Sequence, residues 1–341
     1  MTESDIPPVG GKPKSGRRRI WKIVGLSLGI ILVLAASAVG YFTYRTTSSV
    51  SEIVREPDAL PTGSRPPSAV PSVAGASVPV NILCIGSDKR SANENGRSDS
   101  FILLHISADR KTAYFTSFPR DMWVAIPGHG TAKINAAYSW GGSALAVQTI
   151  EALTGARIDH VVTTDFSDFI GLIDVVGGVT VDNPVAFTGI EAGSGIYYNW
   201  PVGPVQLDGK TALIFARQRY ELPRGDLDRA LRQRAVLKAL ALKIASPDVL
   251  ANPVKLSDVI SSLGKYVTVD SHFTNSAIYD LAASMRITGG DQISILQAPI
   301  TGFGTSADGQ SIDVVDVPGL AALGKALQSD TMADYVASHP K

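Results

Sequence analysis

A three-layer α/β/α domain with a mixed central sheet, preceded by one N-terminal transmembrane helix, is the fold class that this sequence predicts. Three observations carry it. Strand-like and helix-like stretches alternate from about residue 80 onward. A run from Ile23 to Tyr44 carries no charge. Apolar residues make up 45% of the 341, enough for a sizeable core.

Residues 1–22 form a basic tail with six Lys and Arg against Glu3 and Asp5, so the rest of this formally neutral chain carries a net −4. A generic nucleic-acid binder is more often basic overall, which argues against that class. The 22 uncharged residues 23–44 would make a helix of about 33 Å, enough to span a bilayer. Arg17, Arg18, Arg19 and Lys22 precede the run, and Trp21, Tyr41 and Tyr44 sit near its ends. The positive-inside rule then keeps the N-terminus in the cytoplasm and everything after Arg45 outside. Ala36-Ser37-Ala38 resembles a signal-peptide cleavage site, but the apolar run continues past it, which favours an uncleaved anchor. Residues 45–79 hold six prolines and many serines and read as an extended extracytoplasmic linker.

The domain is expected over residues 80–330, with 331–341 as a tail. Strands are predicted at 80–85, 101–106 and 114–118, the last two joined through Asp109-Arg110-Lys111. A helix at 143–153 stops at Gly155, a strand follows at 160–164, and a helix at 166–176 stops at Gly177-Gly178. Then come a short strand at 179–181, a short helix at 207–216 and a long helix at 227–244. Further on, 276–285 reads as helix, 292–297 as strand and 317–327 as helix.

The chemistry-bearing stretch is Arg217 to Arg234, with six arginines and three acids in eighteen residues. Guanidinium groups are planar, permanently charged and suited to gripping phosphate oxygens in pairs, so this density points to a bound polyanion. Pro223 and Gly225 make a turn and Asp226 can cap the following helix, on which Arg229, Arg232 and Gln233 share a face. A solvated helix laced with surface arginines is the plainer alternative. Three polar clusters flank strand ends, where sites of α/β domains lie: Gly86 to Arg90, Gly96 to Ser100, and Phe118 to Asp121. Asp88 and Asp99 on adjacent strand ends could share one hard divalent cation; aspartates that merely form turns or pair with arginine are the alternative. The histidines show no zinc spacing, and there is no nucleophile elbow, Walker loop or hydride-cofactor fingerprint. Gly141-Gly142 reads as a turn before a helix, with phosphate cradling the lesser option. Cys84, the one cysteine, sits in an apolar run and reads as a buried small hydrophobe.

Nine short pieces in order resemble the LytR-CpsA-Psr family: Ile82 to Asp88; Arg97 to Ser100; Ser117 to Asp121; Lys133 to Tyr138; Ile158 to His160; Val176 to Val179; Leu207 to Gly209; Ala216 to Arg219; and Gly225 to Arg229 with Arg232-Gln233. Each is weak alone, and their order and spacing from about 80 to 245 are specific. The resemblance implies an extracytoplasmic phosphotransferase that joins a glycopolymer, delivered on polyprenyl pyrophosphate, to peptidoglycan through a phosphodiester. It implies Mg2+ held by Asp88 and Asp99. It also implies pyrophosphate-binding arginines at Arg120, Arg217, Arg219 and Arg229, with Gln233 beside them and Arg97, Lys133 and Asp226 lining the site. Asp121 or Asp226 would orient or deprotonate the acceptor, or simply position arginines. The lipid needs an apolar groove, for which the helices at 143–153, 166–176 and 227–244 are the expected walls. A polyprenyl-pyrophosphate hydrolase and a non-catalytic lipid-binding membrane protein are the alternatives. The glycopolymer's identity is open.

Overall fold

The computed structural model describes residues 53–73, 75–88, 97–191, 194–218, 226–244, 246, 249 and 252–339. The basic tail and the apolar run at 23–44 lie outside them. Among the described residues, no helix is long and apolar enough to cross a membrane.

In chain order the elements are β1 (Val54–Glu56), β2 (Val80–Asp88), β3 (Arg97–Ile106), β4 (Ala113–Phe118), β5 (Trp123–Ile126), β6 (Gly130–Lys133), α1 (Asn135–Thr154), β7 (His160–Asp165) and α2 (Phe166–Val175). Two nested hairpins follow, β8 (Val179–Asn183) with β11 (Gly203–Leu207) enclosing β9 (Phe187–Ile190) with β10 (Tyr197–Trp200). Then come α3 (Gly209–Arg217), α4 (Asp226–Ile244), α5 (Pro253–Tyr266), β12 (Thr268–Asp270), α6 (Asn275–Ser284), β13 (Ile293–Gln297), β14 (Ile300–Thr305), β15 (Ser311–Val315), α7 (Val317–Gln328) and α8 (Met332–Ser338).

Seven strands form the central sheet in the order β1-β12-β7-β2-β3-β4-β13. It is mixed: β2 runs parallel to β7 and antiparallel to β3, and β4 runs antiparallel to β3 and parallel to β13. The near-continuous apolar run of β2 is explained by burial on both faces. Leu83 and Ile85 point into a cluster with Phe101, Leu103, Ile150 and Leu327, under α1 and α7. Ile82 and Cys84 belong to a second cluster with Ile106, Val269 and Leu281, under α6. A third cluster joins α2, α3 and α4 to the nested hairpins, with Trp200 edge-on to Phe215 at 5.4 Å.

Local signals set the boundaries. Asp208 caps α3, accepting from Thr211 N at 2.8 Å, and Asp165 caps α2 through Asp168 N at 2.8 Å. Gly155, at φ 68°, ends α1.

The structure departs from the sequence expectations in three places. Helix α1 begins eight residues before Ser143, and Gly141-Gly142 form a kink inside it, Gly142 at φ 61°. The hydroxyl of Ser143 donates to Glu56 at 3.0 Å, so a carboxylate of the chain itself sits where a phosphate was the lesser option. Residues 53–79, read as linker from their prolines, are held against the domain. Strand β1 pairs with β12, buried Arg65 bonds Glu151 at 2.6 Å, Val70 N donates to Gln328 O at 2.8 Å, and Ser72 bonds Asp330 at 3.0 Å. Residues 332–338, read as tail, form α8, which buries Met332 and Tyr335 in the α1–α7 cluster.

Candidate active site

The site is built at one end of the sheet, where β2 finishes, β3 starts and β4 finishes. Asp88 pairs with Arg97 as the last step of the β2–β3 ladder. Gly86 pairs with Ser100 and Ser87 with Ser98, which leaves Asp99 as the extra residue of a β-bulge. Bulges of this kind interrupt the alternation of a strand and recur beside active sites. The buried hydroxyl of Ser98 lies 3.2 Å from both Gly86 O and Ser100 O and so ties the bulge together. Tyr138 of α1 hydrogen-bonds Ser87; burial pushes its phenol above the ordinary value, against the pull of that bond. Phe118 opposes Phe101, so Arg120, two residues beyond, stands at the sheet end level with Asp99. Four of the sequence-derived residues, Asp88, Arg97, Asp99 and Arg120, are thus brought to one edge by backbone register. The side chains of Asp88, Arg97 and Asp99 lie outside the described ones.

On the α1 side of this edge lies a cavity of about 450 Å³, lined by Arg120, Asp121, Lys133 and residues of α1. The Asp121 carboxylate is 2.9 Å from Lys133 Nζ and 3.6 Å from Arg120 Nε. Its role here is to hold two cations in place. The backbone supports the same arrangement, with Asn135 N donating to Arg120 O and Asp313 N to Asp121 O.

On the other side, between the sheet and α3–α4, a second cavity of about 110 Å³ is lined by Cys84, Ile85, Ile102, Leu213, Ala216 and Leu237. Gly86, Ser100, Asp165 and Arg217 line it as well, which puts an exposed arginine at the apolar chamber and beside the bulge. Cys84 is enclosed by apolar groups, and that burial pushes its thiol to about 12, which suits an inert wall rather than a nucleophile. Among the described residues, of the three helices expected to wall a lipid groove, only the 227–244 segment lines this chamber, through Leu237. The 143–153 segment packs in the core, and the 166–176 segment packs against α3 and α5.

Arg217 is the last residue of α3, and the end of that helix is fixed by a residue that the sequence pattern placed on a polar face. Arg232 of α4 is buried. Its Nε donates to Phe215 O at 3.0 Å, an Nη donates to Gln218 O, and its guanidinium lies 4.7 Å from the Phe187 ring centre. Free carbonyls at a helix C-terminus need donors, and a cation there also complements the helix dipole. Arg232 is therefore a positioning residue for the Arg217 segment. Asp165 also went unnoticed in the sequence. It pairs with Ser87 at the end of β7, a strand-end position of the kind that marks sites, while capping α2. Arg219 lies outside the described residues. Asp226, Arg229 and Gln233 fall on the first two turns of α4, their side chains outside the described ones.

An anion with a greasy tail is the ligand class that fits a cationic strand edge opening on an apolar chamber. The LytR_cpsA_psr family model matches residues 46–329. A Bacillus cereus protein named polyisoprenyl-teichoic acid–peptidoglycan teichoic acid transferase TagU is 34% identical over 268 residues, spanning 78% of this chain and 84% of that one. The crystal structure of B. subtilis TagV is similar, with TM-score 0.62 and 31% identity, over 74% of this chain and 97% of that chain. A structure described as TagT bound to LI-WTA has TM-score 0.58 and 25% identity, over 80% and 98%. A family-model match over residues 46–329, together with a relative 34% identical across most of both chains, makes the chain a member of the LytR-CpsA-Psr family.

Proposed function

We propose that the chain is an extracytoplasmic phosphotransferase, held to the membrane through residues 23–44, that transfers a glycopolymer from a polyprenyl-pyrophosphate carrier to peptidoglycan as a phosphodiester. The observation that carries this reading is the apolar chamber lined by Arg217 beside the Asp99 bulge. It supports a substrate with an anionic head and a hydrocarbon tail. The names of the relatives, which pair a polyisoprenyl-linked polymer with peptidoglycan, supply the substrate classes.

The chemistry follows from charge. A sugar hydroxyl of peptidoglycan attacks the phosphorus nearer the glycan. The bond from that phosphorus to the bridging oxygen breaks, polyprenyl phosphate departs, and the hydroxyl proton is lost to a base or to water. Phosphoryl transfer requires positioning and charge neutralisation more than covalent help. Arg120 and Arg217, with Arg219 and Arg229, serve as the pyrophosphate clamp, and Lys133 with Asp121 fixes the orientation of Arg120. Asp88 and Asp99 are hard oxygen donors at the same end of the β2–β3 ladder, Asp99 two residues along from the partner of Asp88, a donor set suited to Mg2+, which takes one or two carboxylates together with phosphate oxygens. When bound there, Mg2+ would supply further neutralisation of the pyrophosphate. The apolar chamber retains the prenyl tail, at about 0.8 kcal/mol per buried methylene, leaving the arginines to act on the transition state.

The test is mass spectrometry of the full chain in detergent with Mg2+, a short polyprenyl-pyrophosphate glycan and peptidoglycan fragments. A product of peptidoglycan plus glycan phosphate is expected, and it should be lost in Asp99→Ala and Arg120→Ala. Free glycan phosphate without the conjugate would establish hydrolysis instead. Intact, stably bound substrate would mean a lipid-binding protein.

A further inference from the structure

The 450 Å³ cavity has a wall that pyrophosphate binding does not explain. Beyond Arg120, Asp121 and Lys133 it is lined by Asn135, Ser139, Trp140 and Gln310, drawn from α1 and the β14–β15 turn. Trp140 is 48% exposed, whereas Trp200 is buried in the core. Its indole is held rather than loose, 5.2 Å from the His129 ring at an interplanar angle of 31°. The kink at Gly141-Gly142 follows immediately, so the helix changes direction just after the indole. The opposite wall is fixed too, because the β14–β15 hairpin is tied to the Arg120 turn through the Met122–Asp313 bridge.

An exposed indole facing amide, hydroxyl and charged groups is the chemistry that recognises a pyranose ring. The apolar face of the sugar stacks on the aromatic, and its hydroxyls bond the polar rim. In-line displacement puts the entering oxygen opposite the departing one. The prenyl chamber lies on the α3–α4 side of the sheet edge and this cavity on the α1 side, so the entering sugar belongs here. Resting on the proposed transferase reading, we propose that this cavity is the acceptor saccharide subsite, with Trp140 as its stacking platform and Asn135, Ser139 and Gln310 as hydroxyl partners.

Two measurements test it on the full chain in detergent. The first is binding of a soluble peptidoglycan tetrasaccharide by saturation-transfer NMR and calorimetry, which requires no turnover. Trp140→Ala should weaken binding about tenfold, the size of a lost aromatic stack, while Trp140→Phe keeps most of it. The second is steady-state transfer, in which Trp140→Ala should raise the acceptor KM and leave the donor KM unchanged; Gln310→Ala should do the same to a smaller degree. Equal tetrasaccharide affinity in wild type and Trp140→Ala would overturn the subsite. A raised donor KM with an unchanged acceptor KM would overturn its assignment to the acceptor. Saccharide binding that depends on Trp140 in a protein lacking transfer activity would uphold the subsite and reject the transferase reading, so the two failures are distinct.

Discussion

Arg232→Ala is predicted to be among the most damaging single substitutions outside the central core, although the sequence places this residue on a polar helix face. The wild-type guanidinium donates to Phe215 O at 3.0 Å and to Gln218 O, and lies 4.7 Å from the Phe187 ring centre. A hydrogen bond from a charged group is worth about 1.5–3 kcal/mol, and truncation leaves two buried carbonyls without this donor. The cation–π contact adds about 1 kcal/mol. These contributions overlap, so the expected loss is about 3–5 kcal/mol rather than their sum. For a domain of this size that is roughly 2 °C per kcal/mol, a fall in Tm of about 6–10 °C. Calorimetry and urea unfolding measure it, with Lys238→Ala on the exposed face of the same helix as control. Arg232→Lys keeps the charge without the planar fork and should recover less than half of the loss. A loss below about 1 kcal/mol, matching the control, would refute the clamp.

Three further outcomes are expected. In Gly324→Ala the new Cβ would stand 1.6 Å from Thr154 O, so α7 must lift off the end of α1 at a cost of about 3 kcal/mol, read by urea unfolding. Burial alone would raise the Asp270 carboxyl, but bonds from His160 and the amides of Val161 and His272 outweigh it and hold it below the ordinary range. Its stabilising effect is therefore complete above about pH 4 and disappears as pH falls through the lowered value, so Asp270→Asn should cost stability at pH 7 and much less at pH 2–3, compared by urea midpoints. Leu237→Trp should fill the 110 Å³ chamber and reduce donor turnover by about a hundredfold with little change in Tm, because Leu237 is only half-buried; unaltered donor kinetics would remove the chamber from the lipid path.

The sheet was legible because its strands carry strong signals. Strands β2, β3 and β4 are long apolar runs buried on both faces, and Gly155 and Asp208 mark helix ends by local chemistry. Of the nested hairpins only β8 was, at 179–181; β9, β10 and β14–β15 were not, since strands of four to six residues with Gly, Thr and Tyr lack an extended pattern. Residues 53–79 misled through composition: their prolines describe backbone stiffness, whereas docking depends on the partner Glu151, some ninety residues away. In the site, Asp88, Arg97, Asp99 and Arg120 fall at one sheet edge because strand register sets their backbone positions. Arg232 could not, because its burial arises from carbonyls of a different helix. Trp140 gave no signal, since one aromatic in a helical pattern reads as core and only the three-dimensional surface shows it standing out.

Strand β1 has a consequence for how the chain reaches its native state. Val54 must find Thr268, 214 positions later, before the β12 edge of the sheet is covered. Contacts of such sequence separation form late, because the closure entropy is met before any stabilisation follows. During synthesis the first segment of the domain therefore waits as an unpaired strand until nearly four-fifths of the polypeptide has been made. Its pairing is thus a late one, and β1 is the first strand to meet a mechanical load applied from the N-terminal side.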